Sequence, residues 1–227
     1  MQYGIYYSAH IWYDLDSSKN HGTEEKRILG GRKESTLRKT VLYIAESLDG
    51  FIAAPDGGVG WLTEQHPDGL EEGSYPEFIR TVDTVLMGYT TYHQIVTELS
   101  PDKWAYEGMH TYVFTHKEIP DKPGISFTDE APEDLVERLK EQPGKDIWIC
   151  GGAETAGQLI RKDRIDCYWI TVIPVILGKG IRLFDGENPE LQLRLISAES
   201  YNGMTDLVYQ RSGNHPLVSL PKSRMRV

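Results

Sequence analysis

Two glycine-bearing junctions carry the clearest chemistry in the chain. In the first, Val85-Leu86-Met87 runs into Gly88, and Tyr89-Thr90-Thr91 opens a helical pattern. In the second, Ile147-Trp148-Ile149-Cys150 runs into Gly151-Gly152, and Ala153-Glu154-Thr155 opens another. A helix start exposes unpaired N–H groups and about half a positive charge, which suits phosphate. Glycine lets a ligand approach the backbone closely, and a first-turn threonine adds a hydroxyl donor. One such junction is commonly no more than a tight turn. Two in one domain point to a pyrophosphate bridging both helices. The G-x-G-x-x-G fingerprint is absent, so a Rossmann-type site is not indicated.

Asp49-Gly50 admits two readings. As the only acid in its motif, Asp49 can anchor a closing loop or contact a substrate; as Asp-Gly after a strand it is also an ordinary turn. His93, His110 and His116 lack metal-ligand spacing, and no metal site is expected. Cys150 and Cys167 sit in apolar runs and read as inert buried thiols. Two cysteines cannot form a disulfide framework or a four-ligand zinc site.

The elements that must position these residues follow from periodicity. VLYIAESLDGFIA reads as a buried strand running into a loop, which continues through the turn residues Asp56-Gly57-Gly58. SYPEFIRTV predicts a short helix with Ser74 as N-cap and Pro76 in its first turn. TVLMG and HTYVFT read as strands. YTTYHQIVTEL carries Tyr92, Ile95, Val96 and Leu99 at helical spacing. Asp129 to Gln142 predicts a helix with Leu135, Val136 and Leu139 on one face. IWIC is a buried strand, AETAGQLIRK a helix and DCYWITVIPVIL a long strand. LQLRLISAES and MTDLVYQR flank Asn202-Gly203, a strong hairpin signal. Strands alternating with helices and ending in a hairpin make an α/β fold: a mostly parallel central sheet flanked by helices, with an antiparallel C-terminal edge.

Composition limits the partners. The 227 residues are 39% hydrophobic and 26% charged, with net charge −10. Residues 1–36 are charge-balanced and 212–227 are basic, so the acidic excess lies in the body. That excess repels polyphosphate chains, so no nucleic-acid partner is expected, and a phosphate ligand must be held by local amides and a few basic side chains. No apolar run approaches the ~18–20 residues of a membrane helix, and no membrane partner is expected. With no signal peptide pattern and no N-x-Ser/Thr acceptor, a cytoplasmic protein with reduced thiols is expected.

The ordered set SLDGFIA, a Gly-rich loop with Trp61, LMGYTTY, VFT, IWICGGAET and ITVIPVILGKGIRLF resembles the dihydrofolate reductase superfamily. More narrowly, it is similar to stand-alone relatives of the RibD C-terminal (reductase) domain. The run Pro174-Val175-Ile176-Leu177-Gly178-Lys179-Gly180, followed by Phe184, is the most telling piece. The resemblance spans about Arg38 to Arg211 and implies a dihydrofolate reductase-like α/β sheet with NADPH lying across it. It puts Ala45 and Ile52 where backbone groups hold the nicotinamide carboxamide. Asp49 and Gly50 begin the loop that closes over the ring, and Trp61 ends it. Gly88, Thr90 and Thr91 fall at the first phosphate site. Cys150, Gly151, Gly152, Ala153, Glu154 and Thr155 fall at the second. Thr115, His116 and Lys117 follow the strand whose end meets the adenosine 2′-phosphate. Thr171 lies on the strand facing the substrate and joins Asp49 as a candidate catalytic residue.

The departures are as definite. The helix position where dihydrofolate reductases carry a carboxylate is Ser74. Tyr89 and Glu154 stand where arginines are usual, and Phe51 follows the SLDG motif where RibD reductases often carry Lys or Arg. The resemblance implies an NADPH-dependent reductase of a pyrimidine- or pterin-type substrate in riboflavin biosynthesis, 5-amino-6-(5-phosphoribosylamino)uracil reductase-like, acting as a homodimer. A nucleotide-binding protein of this fold without turnover and a dihydrofolate reductase stay open as alternatives. The domain is expected at 37–211, with a tail at 212–227. Residues 1–36 are expected to be a disordered extension or non-native, translation then beginning at a Leu37 start codon.

Overall fold

In the computed structural model, which describes residues 38–62 and 73–212, strand β1 (Thr40–Ser47) runs parallel to β6 (Asp146–Gly151) on one side and β7 (Cys167–Ile173) on the other. Leu42 aligns with Ile149 and Tyr168, and Ala45 aligns with Thr171. Both faces of these strands are covered, which explains their near-continuous apolar sequences. The sheet extends through β3 (Val82–Gly88), β4 (His110–Phe114) and β5 (Ile125–Thr128), all parallel. On the other side, β10 (Met204–Arg211) pairs antiparallel with β7 and with β9 (Leu193–Tyr201). The order is β5-β4-β3-β6-β1-β7-β10-β9. Asn202 and Gly203 both take positive φ, the type I′ hairpin geometry that their sequence signals.

Helices close each face. α1 (Tyr75–Ile79), α2 (Tyr89–Gln94) and the turn that continues α2 cover one, packing Tyr75, Phe78, Tyr92 and Ile95 against Val85, Trp148 and Trp169. α3 (Pro132–Lys140) and α4 (Ala153–Arg161) cover the other, packing Leu135, Leu139 and Leu159 against Leu42, Leu86 and Ile149. Each fully buried Leu or Ile contributes about 1.5–3 kcal/mol. At the end of the sheet remote from the glycine junctions, Arg38 donates to the Lys145 carbonyl (2.6 Å) and pairs with Asp83, while Asp166 accepts from the Thr40 N–H (2.8 Å) and Lys140 (2.5 Å). These ties fix the strand starts, so the opposite ends are free to form a site.

Four elements differ from the sequence reading. β7 stops at Ile173, because Pro174 cannot donate to a ladder. The helix that starts at Tyr89 widens over Ile95–Leu99, where the Ser100 N–H reaches the Ile95 carbonyl (2.7 Å). β5 is an edge strand of only four residues; ISFT alternates apolar and polar, with Ile125 and Phe127 toward the core, but the run is too short to mark a strand by itself. A separate ribbon pairs β2 (Phe51–Ala53) with β8 (Ile181–Arg182). Gly180 is required there: a Cβ would lie 2.2 Å from the Ala53 carbonyl oxygen, and its φ is +157°. The expectations for residues 1–36 and for the tail beyond Ser212 lie outside the described residues.

Candidate functional site

β3 and β6 are neighbours, with Met87 aligned to Gly151, so the two glycine junctions lie side by side. A Cβ on Gly88 would sit 3.1 Å from the Thr155 hydroxyl, and one on Gly152 would sit 3.4 Å from the Thr91 hydroxyl. The first turns of α2 and α4 therefore interlock, each threonine reaching over the other's glycine. Neither helix has a side-chain cap at its N-terminus. The first-turn amides are left to a ligand or solvent. Gly151 has φ +121° and precedes a cis bond to Gly152.

A cavity of about 900 Å³ runs along these strand ends. Gly88, Thr90, Thr91, Gly152 and Ala153 form one stretch of its wall, with Glu154 and Thr155 beside them. Thr115 and His116 continue it past β4. Ala45 and Ile52 bound it near β1, and Cys150 and Thr171 lie on its inner wall. Gly151 sits immediately behind Gly152 and is not on the wall. Lys117 also stands back; its Nζ lies 4.0 Å from the centre of the Tyr89 ring, and Tyr89 lines the cavity. Glu154 is turned along its own helix, where it accepts from Gln158 (2.9 Å) and lies 3.8 Å from Arg161.

Asp49 lies off the wall. Its carboxylate accepts from the Ser47 hydroxyl (2.7 Å) and from the N–H groups of Leu177 (3.1 Å) and Gly178 (2.7 Å). Burial pushes this carboxyl up, but those hydrogen bonds outweigh it and hold it below its ordinary value. Asp49 sits in the turn after β1, which the Gly50 N–H closes on the Ser47 carbonyl (2.9 Å), and its carboxylate fastens that turn to the segment that leads into β8. Trp61 packs with Ile173 and Met204.

The inner end of the cavity is aromatic. Tyr43 stacks on Phe78 with centroids 4.3 Å apart, and Trp148 meets the edges of Phe78 (5.4 Å) and Tyr106 (5.0 Å). Such a floor accepts a flat ring. The Cys150 sulfur lies 3.4 Å from the Tyr106 hydroxyl, and burial pushes its thiol up to about 11, as expected of an inert thiol. Burial pushes Cys167 up to about 12.

Sequence reasoning missed Asp206, which the fold places beside Thr171. The two are aligned on β10 and β7, and the Thr171 hydroxyl donates to Asp206 Oδ1 (2.7 Å). The Tyr201 hydroxyl donates to the same oxygen (3.0 Å). Tyr43 and Ser74 share a hydrogen bond of 3.0 Å next to this group. Burial, then the charge of Asp206, push the Tyr43 phenol above its ordinary range, while bonds from Ser74 and Thr171 partly offset them. A signal was present: Met204, Asp206 and Val208 are alternate inward positions of one strand, and a carboxylate in that row is anomalous. Among the described residues, no three His, Cys, Asp or Glu side chains converge as a metal-ligand set, and no helix is long and apolar enough to cross a membrane.

A family model of the RibD C-terminal domain matches residues 38–208. The chain belongs to that family. This RibD C-terminal domain is 41% identical over 180 residues to the uncharacterized protein YwjB of Bacillus subtilis (strain 168), covering 77% of the present chain and 99% of YwjB. It is 31% identical over 188 residues to YyaP of the same organism, covering 78% and 96%. Its fold matches the crystal structure of a Shewanella sp. PV-4 protein assigned to riboflavin biosynthesis, with TM-score 0.69, 25% identity, and 77% and 99% of the two chains covered. It also matches the Thermotoga maritima diaminohydroxyphosphoribosylaminopyrimidine deaminase/5-amino-6-(5-phosphoribosylamino)uracil reductase, with TM-score 0.58, 19% identity and 78% of this chain covered, but only 57% of that longer one. The mostly parallel sheet with a C-terminal antiparallel edge, expected from the motifs, is the fold these relatives share.

Proposed function

We propose that the protein is an NADPH-dependent reductase acting on an unsaturated carbon of a pyrimidine- or pterin-type heterocycle. The observation that carries this reading is the continuity of one cavity from the interlocked glycine junctions to the aromatic floor. The donor set fits a dinucleotide. Uncapped first-turn amides and the hydroxyls of Thr90, Thr91 and Thr155 suit a pyrophosphate, and a Cβ at Gly88 or Gly152 would fill the space it needs. Lys117 and His116 are the basic groups near the 2′-phosphate end, and Glu154 is drawn toward Arg161. The backbone at Ala45 and Ile52 would orient the carboxamide. A bound nicotinamide supplies hydride; the chain supplies orientation, exclusion of water and control of protons. Tyr43, backed by Phe78, and Trp148 would hold the acceptor ring flat beside Thr171.

The test is loss of reduced-nicotinamide absorbance across a panel of pterins and pyrimidines. It begins with 5-amino-6-(5-phosphoribosylamino)uracil, the substrate named for the Thermotoga relative. Turnover of one panel member supports the reading. NADPH binding without turnover of any favours a nucleotide-binding protein of the same fold. A homodimer belongs to the same proposal, since Ile176 and Phe184 in the segment after β7 and Leu195 on the edge strand β9 are large exposed apolar side chains. Light scattering at micromolar concentration checks it.

A further inference from the structure

The cavity is poor in positive charge. Among the described residues no lysine or arginine lines it, whereas Asp129, Glu130 and Glu154 do. Arg138 and Arg161, which reach Glu130 (2.7 Å) and Glu154 (3.8 Å), stand off the wall. His116 is on the wall, but it follows β4, which β3, β6 and β1 separate from β7. Four strand spacings put about 19 Å between β4 and the strand of Thr171. Behind the inner wall stands the buried Asp206, whose charge helps to raise the Tyr43 phenol.

The groups that would answer an anion near the aromatic floor are committed elsewhere. Phe51, the residue after the SLDG motif, is buried and uncharged. The Arg182 guanidinium lies 4.4 Å from the centre of the Phe51 ring and donates to the Asp49 carbonyl (3.1 Å), off the wall. The adjacent N–H groups of Leu177 and Gly178 form the kind of nest that suits an anion, and the Asp49 carboxylate fills it. Residues 63–72, which follow Leu62 in the chain, include four carboxylates and neither lysine nor arginine. A phosphomonoester carries a charge of about −1.5 to −2 at neutral pH, and desolvating it without a partner is costly.

We infer that the substrate taken at the inner end of this cavity is an uncharged heterocycle, free or joined to a neutral sugar, and that a phosphate or carboxylate tail is excluded. The inference rests on the reductase reading, which gives the amides at Gly88 and Gly152 to the cofactor. It parts this chain from the activity named for the Thermotoga relative, whose substrate is a phosphoribosyl compound. What remains of the wall there, with Tyr43, Ala45, Ile52, Trp148 and Thr171, offers ring faces and neutral polar groups. Those are the contacts a neutral flat ring needs.

The probes are matched pairs that differ by the phosphate alone: uridine against uridine 5′-monophosphate, and guanosine against guanosine 5′-monophosphate. Each is titrated calorimetrically into the full chain loaded with NADP⁺, which keeps the junction amides occupied. At least one nucleoside should bind, and roughly tenfold or more tighter than its monophosphate. Added salt should narrow that gap, because it screens the carboxylates of the wall. Ile181→Lys sets a cation on the wall at a side chain that is already 41% exposed. It should strengthen the monophosphate by about tenfold and leave the nucleoside unchanged. The wild-type comparison stands without the variant if the variant fails to fold. Equal or tighter binding of the monophosphates, binding of no probe, or an unchanged monophosphate affinity in folded Ile181→Lys overturns the inference. Those results with normal NADP⁺ binding strike the inference alone. Failure to bind NADP⁺ strikes the reductase reading and the inference together, since the junction amides would then be open to a substrate phosphate.

Discussion

The two ends of the cavity are built in different ways. The end with the glycine junctions comes from one unbroken stretch, 82–161, in which each strand feeds directly into the segment that lines the wall. The aromatic and acidic end is assembled from pieces far apart in the chain: Tyr43 on β1, Ser74 before α1, Thr171 on β7, and Tyr201 and Asp206 on the hairpin. At the first end chemistry is carried by backbone amides, so short motifs of permissive residues announce it. At the second it is carried by side chains whose meaning depends on their neighbours across the sheet. An aspartate on a strand says little until the hydroxyls around it are known.

The largest expected effect separates the two ends. Gly152→Val should lower NADPH affinity by roughly 100-fold or more, through loss of several charge-assisted hydrogen bonds at the helix start. A Cβ there meets only the Thr91 hydroxyl at 3.4 Å, so the melting temperature should change little. Calorimetric titration beside a melting curve decides the matter; normal NADPH binding would remove the cofactor from this junction. Lys117→Glu should act next in size, weakening NADPH by about tenfold while sparing NADH, because repulsion replaces attraction at the 2′-phosphate end. Equal losses for both nucleotides would place Lys117 elsewhere in the cofactor site.

Tyr43→Phe probes the other end. It strips the buried Ser74 hydroxyl of the partner at 3.0 Å, at a cost of about 1 kcal/mol, which a thermal melt resolves. NADPH affinity should stay unchanged, and a large change in it would show that the two ends do not act independently. The smallest effect concerns the anchor. The folded-state carboxyl of Asp49 is held below its ordinary value, so its stabilising contribution is present above the unfolded value near pH 4 and is lost as pH falls through the folded value. The melting difference between wild type and Asp49→Asn should thus be constant at neutral pH and shrink below about pH 4. A difference that grows on acidification would contradict the assigned contacts.

Much of the fold was legible because periodicity and turn chemistry agreed with it. Asn202-Gly203 forms the hairpin, and Leu135, Val136 and Leu139 face the core from α3. β5 escaped notice because its alternation, Ile125 and Phe127 against Ser126 and Thr128, lasts only four residues, and pairing with β4 is what holds it as a strand. The same logic explains the site. Gly88 and Gly152 declared themselves singly, and only their interlocking was new. Asp49 allowed several readings until Leu177 and Gly178, far along the chain, were seen to donate to it.

The sheet order also sets a timetable for folding. From 82 to 161, four adjacent parallel strands form from neighbouring sequence, and β7, β10 and β9 likewise pair within one C-terminal stretch. β1 precedes both blocks, yet its partners Ile147 and Cys167 are made more than a hundred residues later. Loop-closure entropy makes such distant pairings slow. The two blocks are therefore expected to gain amide protection first on refolding, with β1 joining them afterwards. Pulse-labelled exchange that showed Leu42 protected ahead of Val85, Leu86 and Leu207 would reverse that order.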